Sequence, residues 1–144
     1  MSLVETVTAA QARGAAIRPK VGGFPYLAAS LLDAGVLRIE VTVPSWTTVL
    51  TTATGSVIQQ RTPMVTGTVD IAPFDRDAFV AALRADQEGR IAFPDWMEAS
   101  WHAGVVWYVV DLVERTCTYR SASGETYVEH YPEVQLPDHA GSSR

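Results

Sequence analysis

The strongest constraint on how this chain folds is a repeat. Displaced by 69 residues without a gap, "FPYLAASLLDAGVLRIEVTV" (24–43) lies over "FPDWMEASWHAGVVWYVVDL" (93–112). Phe24, Pro25, Ala34, Gly35, Val36 and Val41 then fall on Phe93, Pro94, Ala103, Gly104, Val105 and Val110. The register continues downstream, where Thr47, Ala53, Gly55 and Pro63 meet Thr116, Ala122, Gly124 and Pro132. Glycine and proline are the residues that punctuate backbone structure, so their coincidence means that both copies change element at the same places. Residues 1–132 are therefore read as one domain of two units, about 1–63 and 70–132, with "MVTGTVDIAP" (64–73) as a connector with room for a short strand.

Each unit reads as two helices followed by three strands. In "FDRDAFVAALRADQEG" Asp75 is placed to cap, Phe74 and Phe79 stand at hydrophobic-staple spacing, and Gly89 suits the stop. The counterpart "SLVETVTAAQARG" opens with Ser2 and Glu5 at capping-box spacing and is expected to end at Gly14. The second helix of each unit starts with a proline in its first turn, Pro25 or Pro94, and stops at Gly35 or Gly104. In "VLRIEVTV" strict alternation puts Leu37, Ile39, Val41 and Val43 on the core side and Val36, Arg38, Glu40 and Thr42 on the other. "TTVLTTATGSVIQQR" and "TCTYRSASGETYVEHY" each read as a hairpin. Two such units, each with one sheet face to bury, combine most simply into a two-layer α+β domain with an antiparallel sheet and pseudo-twofold symmetry. Residues 133–144 carry Pro, Gly and Ser without periodicity and are expected to be a mobile tail.

A net charge of −5 and scattered lysines and arginines give no surface for neutralising phosphates, which argues against nucleic acid as a partner. No apolar run approaches the roughly 20 residues needed to cross a bilayer, and the start of the chain lacks a basic, then apolar, leader pattern. No membrane contact and a cytoplasmic location are the corresponding expectations. The lone Cys117 fits a reducing compartment.

The repeat supplies an internal control for function. Val106, Tyr108, Val110 and Leu112 of "HAGVVWYVVDL" align with the expected core face of the first unit. On the other face the units part, Arg38 and Glu40 being replaced by Trp107 and Val109. Something covers that face in the second unit: the protein's own helices or tail, a second subunit in a homodimer, or a ligand. Packing within the fold or a dimer is the more economical cover, because apolar strand faces are usually core. The alternative is a small-molecule pocket walled by Trp96, Trp101, Trp107 and Tyr108, since aromatic walls with a few placed polar groups are what such sites look like.

No catalytic constellation accompanies these residues. By parity Cys117 shares a face with Tyr119 and reads as a small buried hydrophobe rather than a nucleophile. His102, Cys117, His130 and His139 are too isolated to make a metal site, and no cofactor is implied. His102 reads as a charge favourably placed at a helix C-terminus. Gly22 and Gly23 lack the Lys and Ser or Thr of a phosphate loop and read as a turn. Glu129 shares a face with Tyr127 and Tyr131; if half-buried it needs a partner, which makes it the strongest polar candidate for a ligand contact, while a solvated glutamate on an edge strand is the more ordinary reading.

The stretch from Phe74 to Pro132 resembles the YbcV-like family of bacterial and prophage-encoded proteins, some labelled "phage envelope protein". The resemblance is carried by Ala82, Leu83, Gln87 and Gly89, by Ala103, Gly104, Val105, Trp107, Asp111 and Leu112, and by "TCTY" (116–119) followed by Gly124, Glu129 and Pro132. It departs from the family pattern at Asp86, where a histidine is usual, and at Arg120 and Ser121, where an acidic turn is usual. The resemblance implies no activity, cofactor or catalytic residue. Three readings follow: a non-enzymatic module binding a small molecule or a protein, an enzyme using Glu129 or Asp111 as acid or base, and a phage-related assembly protein.

Overall fold

A computed structural model describes residues 1–137. The chain runs α1 (Leu3–Ile17), α2 (Phe24–Asp33), β1 (Val36–Thr42), β2 (Thr47–Thr52), β3 (Ser56–Gln60), α3 (Arg76–Gln87), α4 (Phe93–His102), β4 (Val105–Asp111), β5 (Thr116–Ser121) and β6 (Thr126–His130). The strands form a single antiparallel sheet in the order β3-β2-β1-β4-β5-β6, with the two units joined at the β1/β4 seam. This is an α+β fold in which the helix-helix-strand-strand-strand pattern occurs twice.

Local chemistry explains the helix ends. Ser2 and Glu5 close a reciprocal capping box at the start of α1. Asp75 accepts a hydrogen bond from the Ala78 N–H at 3.0 Å, and Phe74 packs on Phe79 as the staple. Gly35, Gly89 and Gly104 follow their helices with positive φ. Gly14 behaves differently: α1 continues through it to Ile17. A β-carbon there would meet the Leu27 Cδ1 at 2.7 Å and the Leu27 Cα at 3.0 Å, so this glycine permits the close crossing of α1 and α2 rather than ending a helix.

The repeat holds with small departures. Helices α2 and α4, strands β1 and β4, and strands β2 and β5 are offset by 69 residues at both ends. The positive-φ residues Trp46 and Arg115 obey the same offset in the turns after β1 and β4. The second hairpin turn is one residue longer, because Ser56 pairs with Thr51 whereas Thr126 pairs with Arg120. Glu129 is therefore the counterpart of Gln59. The connector 64–73 contains no strand; its N-terminal end is held by the Met64 N–H donating to the Pro44 carbonyl.

The core lies between the helices and one face of the sheet. Val41, Leu50, Val110, Cys117 and Tyr119 from the strands meet Val7, Leu31, Phe79, Leu83 and Met97 from the helices. Strict alternation fails at the start of β1 and β4. Val36 and Val105 are fully buried, while Leu37 is 39% exposed and Val106 is half-buried. The cause is a β-bulge in each unit: the register jumps between Val36 and Arg38 and between Val105 and Trp107, so one extra residue shifts the parity. Val106 is thus not the core residue that alternation predicts. Of the expected mobile tail, residues 133–137 are described, and the Pro137 carbonyl accepts from Arg13; residues 138–144, which include His139, lie outside the described residues.

Candidate functional site

The four aromatic residues expected to wall a pocket do not converge. Trp96 and Tyr108 belong to the core, 4% and 7% exposed. Trp96 meets Tyr108 edge-on at 5.5 Å, and both contact Tyr119, at 6.0 and 5.3 Å between ring centroids. The Tyr108 hydroxyl, whose pKa burial holds well above the usual tyrosine range, donates to the Met97 sulfur at 3.9 Å. Trp101 lies at the end of α4 against the connector, in an open groove with Met64, Val65, Val69 and His102. Trp107 is on the far side of the sheet from Trp96 and Tyr108, and the Arg120 guanidinium sits 5.1 Å from its ring centroid. Successive strand residues face opposite ways, so Trp107 and Tyr108 cannot line one cavity.

Glu129 faces the helix layer. One of its carboxylate oxygens accepts from the Arg84 guanidinium at 2.6 Å and from the Gln87 amide at 3.4 Å; the other accepts from the Tyr127 hydroxyl at 2.7 Å. Burial works to raise its pKa, but the hydrogen bonds from Arg84, Tyr127 and Gln87 together outweigh it and hold the carboxyl below the usual glutamate range. In the first unit, Gln59 at the equivalent position exchanges two amide hydrogen bonds with Gln11 of α1. Both pairs pin the outer strand of a unit to its first helix. A carboxylate already engaged by three donors has little capacity left to act as base or ligand.

Cys117 is buried, and burial pushes its thiol up to about 12, opposed in part by a hydrogen bond with Tyr119 and assisted by the Glu129 charge. It is the small hydrophobe that parity predicts, and an inert one. His102 is exposed on the last turn of α4, 3.6 Å from Glu98. Among the described residues no group of three or more His, Cys, Asp or Glu side chains is placed to hold a metal ion, and no helix is long and apolar enough to cross a membrane.

What remains is the sheet face that none of the helices among the described residues covers. Its central row crosses all six strands as Ile58, Val49, Glu40, Val109, Thr118 and Val128. Ile58 and Val128 are 66% and 48% exposed, and Leu37 at the bulge adds to the same apolar surface. Trp107, Val109 and Val49 are half-buried, yet none is among the residues packed against the core. Flanking the row along the β1/β4 seam stand Thr42 beside Trp107 and Arg38 beside Asp111. Glu40 and Val109 are cross-strand partners and are also equivalent residues of the two units, so the pseudo-twofold axis leaves the sheet between them. Trp107 and Val109 drew attention in the sequence. Ile58 and Val128 did not, although each is an apolar residue beside an inward-facing one, a break in alternation that marks a strand with two apolar faces.

These features define a class: an α+β protein of two helix-helix-strand-strand-strand units with helices on one side of its sheet and a partly apolar face on the other. Within that class, the chain belongs to the family described as protein of unknown function DUF1398, whose match spans residues 17–130. It is similar to the uncharacterized protein Rv2012 of Mycobacterium tuberculosis and the uncharacterized protein Mb2035 of Mycobacterium bovis. Each is 42% identical over 132 residues, covering 92% of this chain and 80% of the relative.

Proposed function

We propose that the protein is a non-enzymatic interaction module that binds a protein partner through the open face of its sheet. The observation that carries this reading is the Trp107-Val109-Val49-Ile58-Val128 surface, which contributes nothing to the core. A fold needs only one apolar sheet face, and the exposed apolar residues on a second face, Ile58 beside Val49 and Trp107 next to Val109 with Glu40 and Thr118 between the groups, mark a contact surface of mixed character. Trp and Arg are the residue types enriched at binding hot spots, and here Arg120 stacks on Trp107. Enzymatic chemistry finds less support, because Glu129 is committed to Arg84, Tyr127 and Gln87, and Asp111 accepts from the N–H groups of Val113 and Glu114 in its own turn. The YbcV-like resemblance and the phage-assembly role it brings rest on the quoted residues alone.

Hydroxyl-radical footprinting tests the reading. Oxidation of Trp107 and Ile58 is measured by mass spectrometry in cells producing the protein and in dilute purified protein, with the 90%-exposed Met1 as reference. Protection of Trp107 and Ile58 in cells is expected; equal oxidation in both settings would refute the proposal.

A further inference from the structure

Resting on that reading, we infer that the partner on the open sheet face is a second copy of this chain, docked about a twofold axis that lies along the β1/β4 seam. Three observations carry the inference: area, charge and the placement of the seam residues.

The face is six strands wide and three outward residues tall along each strand. At ~4.8 Å between strands and ~6.6 Å between successive outward residues it measures about 29 by 20 Å. Two copies face to face would thus cover on the order of 1,100 Å² in projection, more than the ~1,000 Å² that a specific interface needs. Aligned sheets pack in this manner, with strand directions within about 30° of each other.

The charge of the face suits a self-contact. The chain carries a net −5, so most of its surface repels another copy. The ionised side chains of the open face, Arg38, Glu40, Asp111 and Arg120, are two of each sign and leave it neutral.

The seam selects the axis. Arg38 and Asp111 stand side by side in one row, one on each side of the seam. A twofold along the seam exchanges the two sides, so Arg38, whose Nε lies 2.9 Å from Glu40 Oε1 of its own chain, also meets Asp111 of the second copy, and Asp111 meets its Arg38. The same operation sets Val109 against the aliphatic stem of Glu40. An axis running across the strands would instead put Glu40 against Glu40, with like charges opposed. Of these two axes, the seam axis is the one that makes the face complementary to itself, as an isologous dimer requires.

The experiment is sedimentation equilibrium with native mass spectrometry, from about 1 to about 100 µM protein. The wild-type chain is expected to dimerise within this range. Arg38→Glu and Asp111→Lys alone each oppose like charges twice and should raise the dissociation constant at least ~10-fold. Mixed in equal amounts, the two variants should form a heterodimer of near wild-type affinity, because both seam contacts then pair opposite charges. Since Asp111 also closes its own turn, far-UV circular dichroism checks each fold, and Val109→Glu at the axis provides an independent disruption. A wild-type monomer at the highest concentration overturns the inference, and so does a mixture without heterodimer. If the purified chain is monomeric while Trp107 is protected in cells, the second copy is the wrong partner but the interaction face stands. If Trp107 is unprotected as well, both fall.

Discussion

Gly35 and Gly104 occupy equivalent places in the two units, yet their replacement by alanine should cost very different amounts. Both have φ far into the positive region, +99° and +90°. Holding an L-residue there costs about 1–3 kcal/mol. At Gly35 nothing lies within 4 Å of the position a β-carbon would take, so the backbone cost stands alone. At Gly104 the β-carbon would lie 2.6 Å from the Pro73 carbonyl oxygen and 2.8 Å from the Phe74 Cα. Those atoms are backbone, and they lead directly into the Asp75 cap of α3, whose N–H donates to the Ala103 carbonyl at 2.8 Å. Relief requires the entry to α3 to move away, with loss of that hydrogen bond, about 1 kcal/mol, and disturbance of the Asp75 cap, about another 1 kcal/mol. Gly104→Ala should therefore be about 2 kcal/mol more destabilising than Gly35→Ala, which at this chain size is roughly 4–8 °C in Tm. Urea unfolding followed by far-UV circular dichroism measures the difference. Equal losses, or a larger one at Gly35, would refute the assignment of the Pro73–Asp75 segment as a rigid neighbour.

Three other outcomes are expected. Trp96→Ala should cost about 3–5 kcal/mol as a large buried aromatic, whereas Trp107→Ala should cost under about 1.5 kcal/mol, measured on dilute protein so that association does not contribute. Cys117, its pKa raised by burial, should resist iodoacetamide at pH 8 in the native protein and react once urea is added; rapid native labelling would contradict its place in the core. Glu129 has a lowered folded-state pKa, so its ionised form stabilises the fold at neutral pH, and this contribution fades as the pH falls from the ordinary value of 4.5 through the folded one. Glu129→Gln should accordingly cost on the order of 1 kcal/mol at pH 7 and progressively less in acid, a trend that thermal melts across pH 2–7 would show.

The sequence by itself determined the repeat, the element order and the α+β class, because these depend on local chemistry. Capping at Ser2 and Asp75, the staple of Phe74 on Phe79, and the glycines after α2 and α4 act over a few residues and read directly from the chain. The repeat then doubled each signal. Other features were decided only by tertiary structure. Gly14 looked like a helix end, but the approach of Leu27 across the α1/α2 crossing explains it, a contact between residues far apart in sequence. The bulges that bury Val36 and Val105 depend on how β1 and β4 register against β2 and β5, which no local pattern encodes. Glu129 stood out in the sequence only as a carboxylate that would need a partner if its face were covered; that it is half-buried and engaged by Arg84 arises from the packing of α3 on β6. The aromatic residues were legible as apolar bulk, and the sheet divided them: Trp96 and Tyr108 went to the core, and Trp107 to the open face. Periodicity reports that a residue is apolar and on which side of its own strand it lies. Which side the helices cover is settled by the packing of the whole chain, and with it whether an apolar residue serves the core or a partner.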